Sequence, residues 1–114
     1  MAHFILDHAQ SVNQLHEKIL YGELIYMAAV VDRDLETAGK LFQEHKKELM
    51  QAAGFISVQR VLYAYYTLVE ADEKKAAQYA KQFANSVKNY PYPKEAAIEQ
   101  EQFDMITQVL QNQD

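Results

Sequence analysis

Cysteine is absent from all 114 residues, which removes disulfide frameworks, thiol nucleophiles and cysteine-based zinc sites in one step. Glycine and proline are scarce, at three and two positions, too few for the many turns of a β-sandwich or barrel. That scarcity makes an all-helical chain the expectation. Excess positive charge is also missing. A net charge of −5 and a pI near 5.3 oppose a generic binder of nucleic acid or anionic membrane, which needs a basic surface. The longest apolar run, around Leu24 to Val31, falls far short of the ~20 residues that span a bilayer, so no membrane insertion by this chain is expected. The opening Met1-Ala2-His3-Phe4-Ile5-Leu6-Asp7 lacks a basic leader region, and its apolar run stops at Asp7. The expected location is the cytoplasm. The alternative is the cytosolic domain of a membrane-associated parent protein with its anchor upstream.

What is present is the balance of a globular domain. Hydrophobic residues make up 49% and charged residues 24%, and the length fits a single domain over 1–114. Helical periodicity recurs along it. Between Asp72 and Tyr90, residues Ala76, Tyr79, Ala80, Phe83, Val87 and Tyr90 gather on one side, while Lys74, Lys81, Asn85 and Lys88 take the other. Asp72 is placed to cap this helix (72–89), and Tyr90-Pro91-Tyr92-Pro93 ends it, because the residue before a proline leaves the α region. Pro93 then suits the first position of a following helix. A second amphipathic helix covers 34–53, with Leu35, Ala38, Leu41, Phe42, Leu49 and Ala53 as its buried stripe and Gly54 as its C′ residue. A third covers 57–71, with Ser57 as N-cap and Val58, Val61, Leu62, Tyr65, Leu68 and Val69 on one face.

The region 11–31 differs. Ser11-Val-Asn-Gln14 has the form of a capping box, and beyond Ile19 the helix is apolar nearly all round. Such a helix is ordinarily covered on several sides, so this one is expected at the centre of the bundle. Residues 2–9 fit a short leading helix. The last helix, 94–111, carries two apolar faces: Ala96, Phe103, Ile106 and Leu110 on one, and Ile98, Met105 and Val109 on another. Either it wedges between two neighbours or its second face stays exposed.

An internal repeat underlies this order. Val30-Val-Asp-Arg-Asp34-Leu-Glu-Thr-Ala38 aligns with Leu68-Val-Glu-Ala-Asp72-Glu-Lys-Lys-Ala76 at an offset of 38 residues. In each, apolar residues close one helix, an acidic turn follows, and Asp-x-x-x-Ala opens the next. This pattern resembles a tetratricopeptide-type helical hairpin over roughly 19–90, with 94–111 as a capping helix. Ala38 and Phe42 match the family's small and aromatic positions in the first unit, and Tyr63, Ala64 and Ala76 match in the second. Tyr26 stands where a small residue belongs, Ala80 replaces an aromatic, and neither unit carries the closing proline. The fold expected is all-α: antiparallel hairpins stacked as a small tetratricopeptide-like array, or a bundle, of about five helices.

Reactive chemistry finds little footing. His16-Glu17-Lys-Ile-Leu20 begins like the zinc-protease motif but has Leu20 where the second histidine must stand. Glu44, His45 and Glu48 could offer ligands, yet His45 lies in the apolar stripe beside Phe42 and Leu49 and reads as a half-buried core histidine. His3 and Asp7 support a local helix more readily than a metal. The glycines Gly22, Gly39 and Gly54 are isolated and form no phosphate loop. No enzyme activity, cofactor or metal is expected. The acidic side chains of the last helix and the lysines of the fourth read as solvated faces.

The eight tyrosines are the most informative group. Tyr26, Tyr65 and Tyr79 fall in buried stripes. Tyr63 and Tyr66 fall off the core wedge of their helix, near Arg60 and Thr67. The resemblance implies that first helices line a concave ligand surface, and tyrosine suits such a surface; another helix, such as the terminal one, would otherwise cover these rings. The expected function is a non-catalytic module binding a protein or peptide through Arg60, Tyr63, Tyr66 and Thr67. The alternative is a structural or self-associating domain, pairing through Ile98, Met105 and Val109 or serving as the appendage of a larger protein.

Overall fold

The structure is a computed structural model that describes residues 17–111. Five helices follow one another with no strand among the described residues: α1 (17–26, prolonged by the π-turn Met27–Val31), α2 (Leu35–Gln51), α3 (Ile56–Ala64, prolonged by the π-turn Tyr65–Val69), α4 (Glu73–Asn89) and α5 (Pro93–Gln111). None is long and apolar enough to cross a membrane. The capping box at Ser11–Gln14, the leading helix over 2–9, the His3/Asp7 pair and His16 lie outside the described residues.

The two hairpins turn by one mechanism. In the first, the Asp32 N–H donates to the Met27 carbonyl at 2.9 Å and the Asp34 N–H to the Ala28 carbonyl at 2.7 Å. In the second, the Glu70 N–H donates to Tyr65 at 3.2 Å and the Asp72 N–H to Tyr66 at 2.8 Å. The residue between each pair is left-handed, Arg33 at φ 56° and Ala71 at φ 53°. Each aspartate then caps the next helix, Asp34 accepting from the Thr37 N–H and Asp72 from the Lys75 N–H, both at 3.1 Å. Every position is matched at the 38-residue offset, so the sequence repeat is a repeat of backbone geometry.

Other boundaries follow different physics from that expected. No glycine adopts positive φ. Gly54 is therefore not a left-handed C′ residue, and α2 closes instead when the Ala52 N–H donates to the Leu49 carbonyl at 3.0 Å. Ser57 does not cap α3. Phe55, in extended backbone, takes that place without a side-chain bond. Tyr90 at ψ 129° does leave the α region before Pro91, and Pro93 opens α5.

The central helix is α3, not α1. Every residue from Val58 to Tyr66 except Tyr63 is buried, and their side chains serve the neighbouring helices. Phe42 of α2 lies flat on Tyr65, ring centroids 3.7 Å apart, and meets the edge of Tyr66 at 5.7 Å. Tyr66 stacks in turn on Tyr79 of α4 at 5.6 Å. Gly22 seats α1 against α2 and α3, where an added Cβ would make ordinary contacts with the Leu49 and Val61 side chains at 3.4 and 3.5 Å. The apolar girth of α1 gave no direction, and the structure supplies it. Ile25, Tyr26 and Ala29 point inward, while Leu20, Leu24, Met27 and Val31 remain 55, 44, 48 and 50% exposed.

Candidate functional site

The residues expected to bind a partner are enclosed instead. Arg60 and Tyr66 are each only 1% exposed, and Tyr63 and Thr67 are half-buried. The covering element is α5, which lies along α3 beside α1. Phe103 of α5 stacks between Tyr63 of α3 and Phe83 of α4, both at 4.4 Å, and Ile106 is wholly buried. The surface that the resemblance implied is thus the seat of the chain's own last helix. The terminal helix, the alternative cover for these rings, closes over Tyr63 and Arg60, while Tyr66 is enclosed by Phe42 and Tyr79.

A charged cluster forms beneath that helix. The Arg60 guanidinium donates through Nε to Glu99 of α5 at 2.9 Å and through Nη2 to Glu23 of α1. It also lies over the Tyr26 ring, 4.5 Å from the centroid. Tyr26 in turn donates from its hydroxyl to the Gln102 carbonyl at 2.7 Å. One arginine therefore ties together the first helices of both hairpins and the last helix. A guanidinium suits this role because it stays charged and offers a fork of donors to several acceptors. Nη1 of Arg60 and Oγ1 of Thr67 are buried and find no partner among the described residues. The Gln59 side chain links α3 to its own hairpin partner, accepting from Ser86 of α4 at 2.6 Å.

Burial sets the acid–base behaviour of the tyrosines. Loss of water pushes the Tyr66 phenol up to about 12, with the neighbouring Tyr79 and the carboxylate of Glu70 adding to it. Burial also raises Tyr65 and Tyr79, and raises Tyr26 against the opposing pull of Arg60. The native state therefore holds the Tyr66 proton more tightly than the unfolded chain. This contribution to stability is complete below the ordinary tyrosine value and is lost as pH rises toward about 12. The expected slope is about 1.4 kcal/mol per pH unit for this tyrosine across that window. Urea unfolding at stepped alkaline pH checks it, and Tyr66→Phe flattens the slope.

The second nominated surface stands open in part. Ile98 and Met105 of α5 are 55 and 41% exposed, whereas Val109 is half-buried against the core. Leu110, expected on the inner face, is exposed instead. The open flank of α5 adjoins α1, for the Met105 sulfur lies 3.9 Å from the Tyr26 hydroxyl. On α1 itself, Leu20, Leu24, Met27 and Val31 make a second exposed apolar row. The α1 residues recur at i, i+4, i+7 and i+11, the spacing of a buried helical stripe. That spacing was legible, but without a partner helix it gave no sign of lying outward. His45 is half-buried as expected, its ring stacked on Tyr21 at 3.7 Å.

Among the described residues no group of three histidine, aspartate or glutamate side chains is placed to hold a metal. Comparison with known proteins adds no relative: no family model, curated protein or solved structure matches the chain.

Proposed function

We propose that the chain is a non-catalytic helical interaction module, with two tetratricopeptide-like hairpins and a capping helix, that docks a partner protein on the outer face of α1 and the adjoining flank of α5. One observation carries this reading: the row Leu20, Leu24, Met27 and Val31 stands exposed in a single line along one helix. Scattered apolar side chains are ordinary on a surface, but a contiguous patch marks a contact. The closed seat of Arg60 and Tyr63 plays the structural part, holding α5 in place. A cytoplasmic setting fits the lack of cysteine.

The test is a paired substitution. Leu24→Glu with Met27→Glu changes stability by no more than about 0.5 kcal/mol, as surface replacements do, and abolishes capture of the partner from native lysate. Equal capture by the wild type and the variant contradicts the reading. The open positions of Ile98 and Met105 favour self-association as a second reading, and sedimentation across a concentration series separates the two.

A further inference from the structure

The repeat indicates what the α1 face is shaped to receive. Thirty-eight residues beyond Leu20, Leu24 and Met27 stand Val58, Leu62 and Tyr65 of α3, all of them buried. Tyr65 receives the ring of Phe42 from α2. Val69, the counterpart of Val31, is half-buried and faces Gly39 of α2. The same register that α3 uses to accept a helix is thus repeated on α1, with no described helix upon it. The two turns coincide bond for bond, so the matching of these positions is geometric as well as numerical.

Charge narrows the occupant. Along 17–31 and α5 the acids are Glu17, Glu23, Glu95, Glu99, Glu101 and Asp104, against Lys18 and Lys94. Arg60 engages Glu23 and Glu99, which leaves Glu17, Glu95, Glu101 and Asp104 exposed. Glu101 lies in the same helical row as Ile98 and Met105, and the carbonyl end of α1 adds negative potential beside Val31. A second copy would bring this acidic rim against itself, with the whole chain at −5, and like charges across an interface are unfavourable.

Resting on the interaction reading above, we propose that the α1 face binds a basic amphipathic helix of another protein. That helix presents an aromatic ring toward Met27 as Phe42 does toward Tyr65, and places lysine or arginine along its flanks opposite Glu17 and Glu101.

The probe is a synthetic peptide of residues 35–51, the helix that fills the corresponding face of α3. A basic form has Glu36, Glu44 and Glu48 replaced by lysine, and an acidic form has Lys40, Lys46 and Lys47 replaced by glutamate. Binding to the full chain is read by fluorescence anisotropy. The basic form binds at least about tenfold more tightly than the acidic form, weakens severalfold when salt rises from about 50 to about 500 mM, and loses at least about tenfold in affinity for the Leu24→Glu/Met27→Glu variant. Equal binding of both forms that the variant still abolishes overturns the basic partner and leaves the interaction reading standing. Binding that the variant does not change, or no binding of either form, overturns the assignment of this face. A dimer that forms at all salt concentrations and is lost in the same variant overturns it in favour of a second copy.

Discussion

Replacing Glu23 and Glu99 together by alanine lowers stability by about 3–5 kcal/mol, because it leaves a buried guanidinium without an anion. Arg60 is the largest fully buried side chain in the described structure, and these two carboxylates are its charge partners. An arginine cannot escape by losing its proton. The cost therefore appears as unfolding, a fall in Tm on the order of 10–20 °C by thermal circular dichroism for a domain of this size. Adding Arg60→Met recovers most of the loss, since a neutral side chain of similar length removes the stranded charge. The paired result separates a charge effect from a packing effect. A loss below about 1 kcal/mol in the double variant, or no recovery in the triple, would show that water reaches the guanidinium.

The second large effect belongs to Phe42→Ala, expected to cost about 3–5 kcal/mol. Phe42 is the ring by which the first hairpin stacks on the second. It lies flat on Tyr65 and edge-on to Tyr66, so truncation opens a cavity at the junction of the two units. Phe55, exposed between α2 and α3, is the internal control, and Phe55→Ala changes stability by about 0.5 kcal/mol or less. Chemical denaturation of both variants measures the contrast. Similar values for the two would mean that the hairpins are not joined through this ring.

These two effects differ in how far they could be read from the chain. Phe42 was legible: it falls in the apolar stripe of its helix, at the aromatic position of the repeated unit. The aspartate caps and the proline that opens α5 were legible too, because they act within a few residues. Arg60 was not. Arginine is seldom buried, and its two acids lie 37 and 39 residues away in the chain. Sequence periodicity shows which residues share a helical face, but not which helix covers it. The same limit inverted the roles of α1 and α3. Both are rich in apolar residues, and only the packing shows that α3 is enclosed while α1 keeps a bare side. The faces of α5 were partly separable, with Ile106 inward and Ile98 outward as the two stripes require, yet Leu110 ended in solvent.

Thiol labelling can distinguish an open α1 face from a covered one, because the chain has no cysteine of its own. Single cysteines at Leu24 and at Leu62 occupy matched positions in the two repeated helices, one proposed as an open docking face and the other enclosed. The Leu24→Cys thiol in the full chain is expected to react within about tenfold of its unfolded rate. The Leu62→Cys thiol should be slowed by about a thousandfold or more, since it reacts only when the domain opens. Equal protection at both positions would mean that the chain itself already covers the α1 stripe, and the docking face would not exist.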